Sequence, residues 1–291
     1  MRSFSILCLA VLLAPLALGA GTAARGTEPI AIVAAENFYG ELAREIGGDK
    51  VAVTSILSNP DADPHLFETS PSVARAVSAA TIVIYNGADY DPWLPKLLAA
   101  APRAERTAIV AAELVGYRSG NNPHLWYDPP TLPAVARALA AELAKRDPAD
   151  AQIFGANLAA FDASLAPVTA AIARLKAAHA GTPVTATEPV FGYMAAALGF
   201  TMLNPEFQLA TMNDTEPSPS QVAGFEASLK SGQAKLLFYN SQVTDDTTTR
   251  LRQLAEDSHV PVVGVTETAP AGKTIAAWFM AELDAVAEAL K

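Results

Sequence analysis

The chain is poor in the residues that most often carry covalent or redox chemistry. It has one cysteine and four histidines in 291 residues. Once the chain is cleaved downstream of Cys8, neither disulfides nor thiolate ligands remain, so any metal must be held by imidazole and carboxylate. Positive charge is scarce too: 20 Lys and Arg stand against 30 Asp and Glu. That balance argues against nucleic acid or an anionic membrane surface as a partner. No HExxH, GxSxG or P-loop pattern occurs, which removes the common motif-based readings of an enzyme. Past the N-terminus, no run reads as apolar and charge-free enough to span a bilayer. There is no low-complexity tract and no histidine-rich loop.

What is present begins with a targeting segment. Arg2 precedes an apolar run from Ile6 to Leu18, followed by small residues at Leu18-Gly19-Ala20 and Thr22-Ala23-Ala24. Residues 1–25 therefore read as a signal peptide cleaved near 20–24. Cys8 stands in the middle of the apolar run rather than at its end. The expectation is a periplasmic protein that is secreted and not a lipoprotein, with no transmembrane segment in the mature chain.

The mature chain, about 265 to 270 residues, alternates strand and helix patterns. Strands are read at 30–35, 51–57, 81–85 and 107–110, and again at 183–187, 200–203, 235–239 and 260–265. Their β-branched runs lack polar alternation, which fits parallel strands buried on both faces by helices. Between the two groups, residues 149–178 form an alanine- and leucine-rich helical stretch interrupted only by Pro167. At 1.5 Å per residue, such a helix is about 45 Å long, a strut between two halves, kinked or broken at the proline. The fold class is thus α/β: two (β/α) lobes with parallel sheets joined by a long rigid linker helix. The boundaries are an N-terminal lobe at 26–148, the linker at 149–179 and a C-terminal lobe at 180–291.

Two of the four histidines lie in matching tetrapeptides, Asp63-Pro64-His65-Leu66 and Asn122-Pro123-His124-Leu125. Each follows a proline, which stiffens the loop that delivers the ring. Neutral imidazole is the commonest protein ligand for transition metals. In open α/β sheets, ligands bind beyond the carboxyl ends of the strands. Carboxylates at such ends are Glu188, after VTAT, and Glu267, after VVGVT. With His65 and His124 they supply two groups from each lobe, so one ion fits the cleft between lobes. Each residue also has a plainer reading, the histidines as hydrogen-bonded structural groups and the glutamates as helix caps. Asp61, Asp63, Glu68, Asp89, Asp91 and Asp128 lie in the same loops and read as turn formers or supports. His179 reads as a helix C-terminal residue and His259 as a turn residue, neither a ligand.

The segments AAENFYGELAREIGG, DPHLFETSPS, IVIYNGADYDPWL, NPHLWYDP, TEPVFGYM and GVTET together resemble the periplasmic metal-binding proteins of zinc and manganese ABC importers. The resemblance covers nearly the whole mature chain. It implies one divalent transition metal ion as cargo, Zn2+ or Mn2+ with Fe2+ as a further option, held in the inter-lobe cleft. By motif, His65, His124, Glu188 and Glu267 match the four metal ligands. Glu267 departs from the usual Asp, which bears on ligand distance and denticity. The implied partner is the inner-membrane permease of an ABC importer, the protein acting as a monomer and not as an enzyme. Two imidazoles and two carboxylates carry net −2, which neutralises a divalent ion. Loading is expected to weaken near pH 5 to 6, as protons compete for the imidazoles. The alternatives are a metallohydrolase, a binding protein for a small organic solute on the same scaffold, and a surface adhesin.

Overall fold

The computed structural model describes residues 28–59, 64, 67–117, 120–213, 215–243 and 245–291. The targeting segment with Cys8, and the loop residues Asp61, Asp63 and His65, lie outside the described residues. Among the described residues, eight strands form two sheets: β1 (Ile30–Glu36), β2 (Val51–Leu57), β3 (Ile82–Tyr85) and β4 (Thr107–Val110), then β5 (Pro183–Ala186), β6 (Thr201–Met202), β7 (Leu237–Asn240) and β8 (Val262–Val265). All pairings are parallel, in the orders β2-β1-β3-β4 and β6-β5-β7-β8. Counted from its own first strand, each lobe has the same order.

Composition explains which strands are central. β1 (IAIVAAE) and β3 (IVIY) are buried through most of their length, as strands covered on both faces must be. β2, at an edge, exposes Ala52 and Thr54 in alternation. The covering helices are α1 (Asn37–Gly47), α2 (Pro71–Ala79), α3 (Trp93–Ala100), α4 (Ala111–Leu114) and α5 (Thr131–Arg146) on the N-terminal side. Two more, α6 (Ala151–Ser164) and α7 (Ala166–His179), lead to α8 (Gly192–Ala197), α9 (Pro205–Met212), α10 (Pro219–Lys230), α11 (Asp246–Asp257) and α12 (Ile275–Ala289). Local caps start several of them. Ser70 accepts from the Val73 amide, and Ser218 with Gln221 and Asp245 with Thr248 form reciprocal capping boxes.

The helical run at 148–179 is not one cylinder. Leu165 lies between α6 and α7, and its amide bonds the Asp162 carbonyl in a tightened turn, 3.3 Å. Pro167, which has no N–H to return to the preceding turn, sits in the first turn of α7. By length and composition, Pro148–His179 is apolar enough to cross a membrane, which corrects the reading that no later segment is. Its contacts explain the composition: α6 packs on α5 and α1, and α7 on α12. A second departure is α9, a helix beyond the strand read at 200–203 that the sequence patterns did not include. Asn204 adopts a left-handed φ of 56° and Pro205 opens the helix. Only Phe207 and Gln208 of α9 are buried, so no apolar stripe marks it.

One core runs through both lobes. Ile32 and Ile84 of the first sheet belong to the same buried cluster as Val184, Phe238 and Val265 of the second. Aromatic rings bridge them: Phe38 to Trp278 at 5.9 Å, Tyr127 to Phe191 at 5.1 Å, and Phe191 to Phe238 at 4.7 Å. Burial of such rings is among the largest single contributions to a core.

Candidate metal centre

The strand order reverses between β1 and β3 and between β5 and β7, the place where open α/β sheets bind ligands. Registers set what stands there. Two residues beyond the paired Ala34 and Ile84 come Glu36 and Asn86; two beyond the paired Ala186 and Phe238 come Glu188 and Asn240. Each lobe thus ends its switch point in a glutamate beside an asparagine.

In the C-terminal lobe these groups converge. Asn240 Nδ2 donates to Glu188 Oε2 and, at 2.7 Å, to Glu267 Oε1. Glu267 follows β8, whose Val265 pairs with Asn240. Gln242 fixes the turn that carries Glu267: its Oε1 accepts from the amides of Glu267 at 2.6 Å and Thr268 at 3.0 Å. Glu188, Asn240, Gln242 and Glu267 are all buried.

In the N-terminal lobe, His124 opens a short 3-10 turn, Leu125–Tyr127, and is fully buried. Its Nδ1 lies 2.6 Å from Asn122 Oδ1. The Asn122 amide nitrogen donates to the Pro189 carbonyl at 2.5 Å, so its oxygen is the acceptor and His124 Nδ1 carries the hydrogen. That tautomer turns the Nε2 lone pair toward Glu267, with Oε2 3.4 Å away. Gly192 permits the arrangement, because a Cβ there would stand 2.8 Å from Asn122 Nδ2. Tyr90 donates to the same Glu267 Oε2 at 2.8 Å. It is delivered by three successive left-handed residues, Gly87, Ala88 and Asp89, with φ of 70°, 58° and 61°. Two of these are not glycine, a backbone cost accepted near functional sites. Asn86 ties the pieces together: it donates to the Pro123 carbonyl at 2.8 Å and accepts from Tyr39.

Two further acids lie beneath. Glu36 and Asp91 are almost wholly buried. Burial, then the charge of Asp91, raises the Glu36 carboxyl well above its ordinary range. Burial likewise lifts Asp91 to about 6, against the pull of the Asn86 and Gly87 amides that it accepts from. Burial and the nearby charge of Asp91 thus favour the protonated form of Glu36.

The structure therefore brings His124 and Glu267 face to face and joins Glu188 to them through Asn240; His65 lies outside the described residues. Among the described residues, no three His, Cys, Asp or Glu side chains form a metal-holding group. Asp89 and Glu68 are exposed, and Asp128 is half-buried in the loop before α5. His179 ends α7, and His259 takes a left-handed φ of 57° at an exposed turn. Asn122, Asn240, Gln242 and Tyr90 were not legible as site residues, because acids and imidazoles, not amides and phenols, mark a metal site in sequence; Glu36 is an acid, but it lies within the strand pattern of β1. Their signal is the register, which places Asn240 opposite Val265 and beside Glu188.

The model of the family "Zinc-uptake complex component A periplasmic" matches residues 32–289. The manganese ABC transporter substrate-binding lipoprotein PsaA of Streptococcus pneumoniae is 25% identical over 276 residues, covering 88% of this chain and 86% of the relative. The metal ABC transporter substrate-binding lipoprotein FimA of Streptococcus parasanguinis is 24% identical over 275 residues, covering 88% and 85%. The solved periplasmic zinc-binding protein TroA of Treponema pallidum superposes with a TM-score of 0.77 at 19% identity, covering 91% of this chain and 99% of that one. These matches correct one expectation. Both curated relatives are lipoproteins by name, which overturns the reading of a secreted protein that is not a lipoprotein. That reading rested only on where Cys8 stands in the apolar run, and lipid attachment at a cysteine leaves no mark on the folded lobes.

Proposed function

The chain belongs to the family of the periplasmic component A of zinc-uptake complexes, and from that premise we propose that His65, His124, Glu188 and Glu267 hold one divalent cargo ion. The protein captures Zn2+ or Mn2+ between its lobes and hands it to the membrane permease of an ABC importer. One observation carries this reading. His124 Nε2 and Glu267 Oε2 come from opposite lobes and meet at 3.4 Å with both side chains fully buried. An imidazole lone pair aimed at a carboxylate in a dry setting gains most from a cation placed between them.

Glu188 enters from the C-terminal side and His65 from the loop after β2. Residues 26–148 and 180–291 act as the two lobes, with 149–179 as the linker. Four protein ligands tend to close the shell, whereas catalytic metal sites keep a position for water, so the site binds rather than catalyses. A single copy suffices, because both halves of the ligand set come from one chain. The test is calorimetric titration of chelator-stripped protein with Zn2+ and, separately, Mn2+. One-to-one binding that His124→Ala abolishes supports the reading; no binding of either ion overturns it.

A further inference from the structure

We propose that Asn240 determines how the cargo is coordinated, holding Glu188 and Glu267 to one metal-facing oxygen each and so favouring four-coordinate Zn2+ over Mn2+. This rests on the ligand set proposed above. The amide has two hydrogens and spends one on each carboxylate, Glu188 Oε2 and Glu267 Oε1. Its orientation is not arbitrary. Asn240 Oδ1 accepts from the Gln242 amide at 3.0 Å, so the nitrogen is the end that faces the two acids. A flipped amide would set a carbonyl oxygen against both carboxylates. The backbone is pinned as well, by the bond from Asn240 N to Thr187 Oγ1 at 3.1 Å and by pairing with Val265. The side chain is 1% exposed, so water does not compete for the donors.

Glu267 shows the division of labour. Oε1 serves the amide, while Oε2, which also accepts from the Tyr90 hydroxyl at 2.8 Å, faces His124 Nε2 at 3.4 Å. A carboxylate held in this way meets an ion through one oxygen. Two imidazoles and two such carboxylates make four donors, the number Zn2+ takes in closed sites. Mn2+ suits oxygen-rich, six-coordinate surroundings, and affinity alone already ranks it below Zn2+. Removing the amide gives both acids a second oxygen to offer, which helps Mn2+ more than Zn2+.

Asn240→Leu removes the donors while keeping the same branching and number of side-chain heavy atoms. The ratio of the Mn2+ Kd to the Zn2+ Kd, measured by competition with chelators, is expected to fall at least about tenfold in the variant. A ratio within about twofold of the native one overturns the proposal. X-ray absorption on the native zinc-loaded protein tests it without any variant. Four nitrogen and oxygen donors are expected, and five or six overturn it. His124→Ala separates the two readings. If it binds both ions like the native protein, the ligand set fails and the role of Asn240 with it. If it loses both while the Asn240→Leu ratio stays native, only the role of Asn240 fails.

Discussion

The two lobes solve the same geometric problem with different chemistry. Each carries a glutamate and an asparagine at its switch point, Glu36 with Asn86 and Glu188 with Asn240, at equivalent register positions. In the C-terminal lobe the asparagine draws two carboxylates together and presents them toward the opposite lobe. In the N-terminal lobe the asparagine holds the Pro123 carbonyl, just before His124, and the glutamate is buried near the charge of Asp91, which favours its protonated form. Equivalent backbone placement thus does not dictate equivalent use. The immediate neighbour decides: Glu188 meets an amide donor, whereas Glu36 meets another acid.

The sharpest way to break that comparison is to neutralise both glutamate types. Glu267→Gln, on the carboxylate side, is expected to weaken Zn2+ binding on the order of 100-fold or more, since it removes a ligand and a charge. Glu36→Gln is expected to leave affinity within about threefold, because an amide replaces a carboxyl that is already protonated. Calorimetry on the two variants decides; comparable losses would place Glu36 in the site. Next in size is Gln242→Leu, which frees the Glu267–Thr268 turn. A loss of about 10-fold in metal affinity is expected, the usual cost of removing a group that orients a ligand.

Tyr127→Phe probes the seam rather than the site. The Tyr127 hydroxyl donates to the Thr266 carbonyl and lies 2.8 Å from Glu282 Oε1. Its loss is expected to cost about 1 to 2 kcal/mol in denaturant unfolding, with metal affinity little changed. An unaltered midpoint would mean that the lobes do not depend on this contact.

The last prediction concerns pH. Burial raises Glu282 from 4.5 to about 8, although the Tyr127 and Trp278 donors act in the opposite direction. The folded protein keeps this proton up to about pH 8, while the unfolded chain releases it near 4.5. The stability it contributes is complete below about pH 4.5 and is lost as pH rises through 8. Glu282→Gln should flatten the fall in Tm between pH 5 and 9. A slope identical to that of the native protein would show that Glu282 is ionised in the fold.

Much of this organisation was legible from the residues. Runs such as IVIY and KLLFY announce buried parallel strands because nothing polar interrupts them, and Pro123 with His124 announces a stiff ligand-bearing loop. Glu188 and Glu267 were visible as acids at strand ends. The groups that aim them were not. Asn240 and Gln242 gain meaning only when β7 and β8 pair, and Asn122 only when Pro189 of the other lobe reaches it. Glu36 lay in plain view within AAENFYG, yet no local pattern shows that Asp91 will stand beside it. The turn at Leu165 was likewise hidden, because Pro167 marks the neighbourhood of a break without fixing its position.

The segment from Ala269 through α12 also ties the far end of the second lobe back to the first. The Ile275 amide, at the start of α12, bonds Glu41 in α1, Asn37 exchanges two bonds with Ala269 just before it, and Glu282 meets Tyr127. Each sheet is assembled from a contiguous stretch of chain, whereas these contacts join residues 155 to 234 positions apart, the costliest kind of closure for a folding chain. A chain cut short before Thr274 would lose the Glu41 and Glu282 contacts across the seam yet keep those of Asn122 with Pro189 and Tyr127 with Phe191, so α12 reinforces a joint that other residues already make.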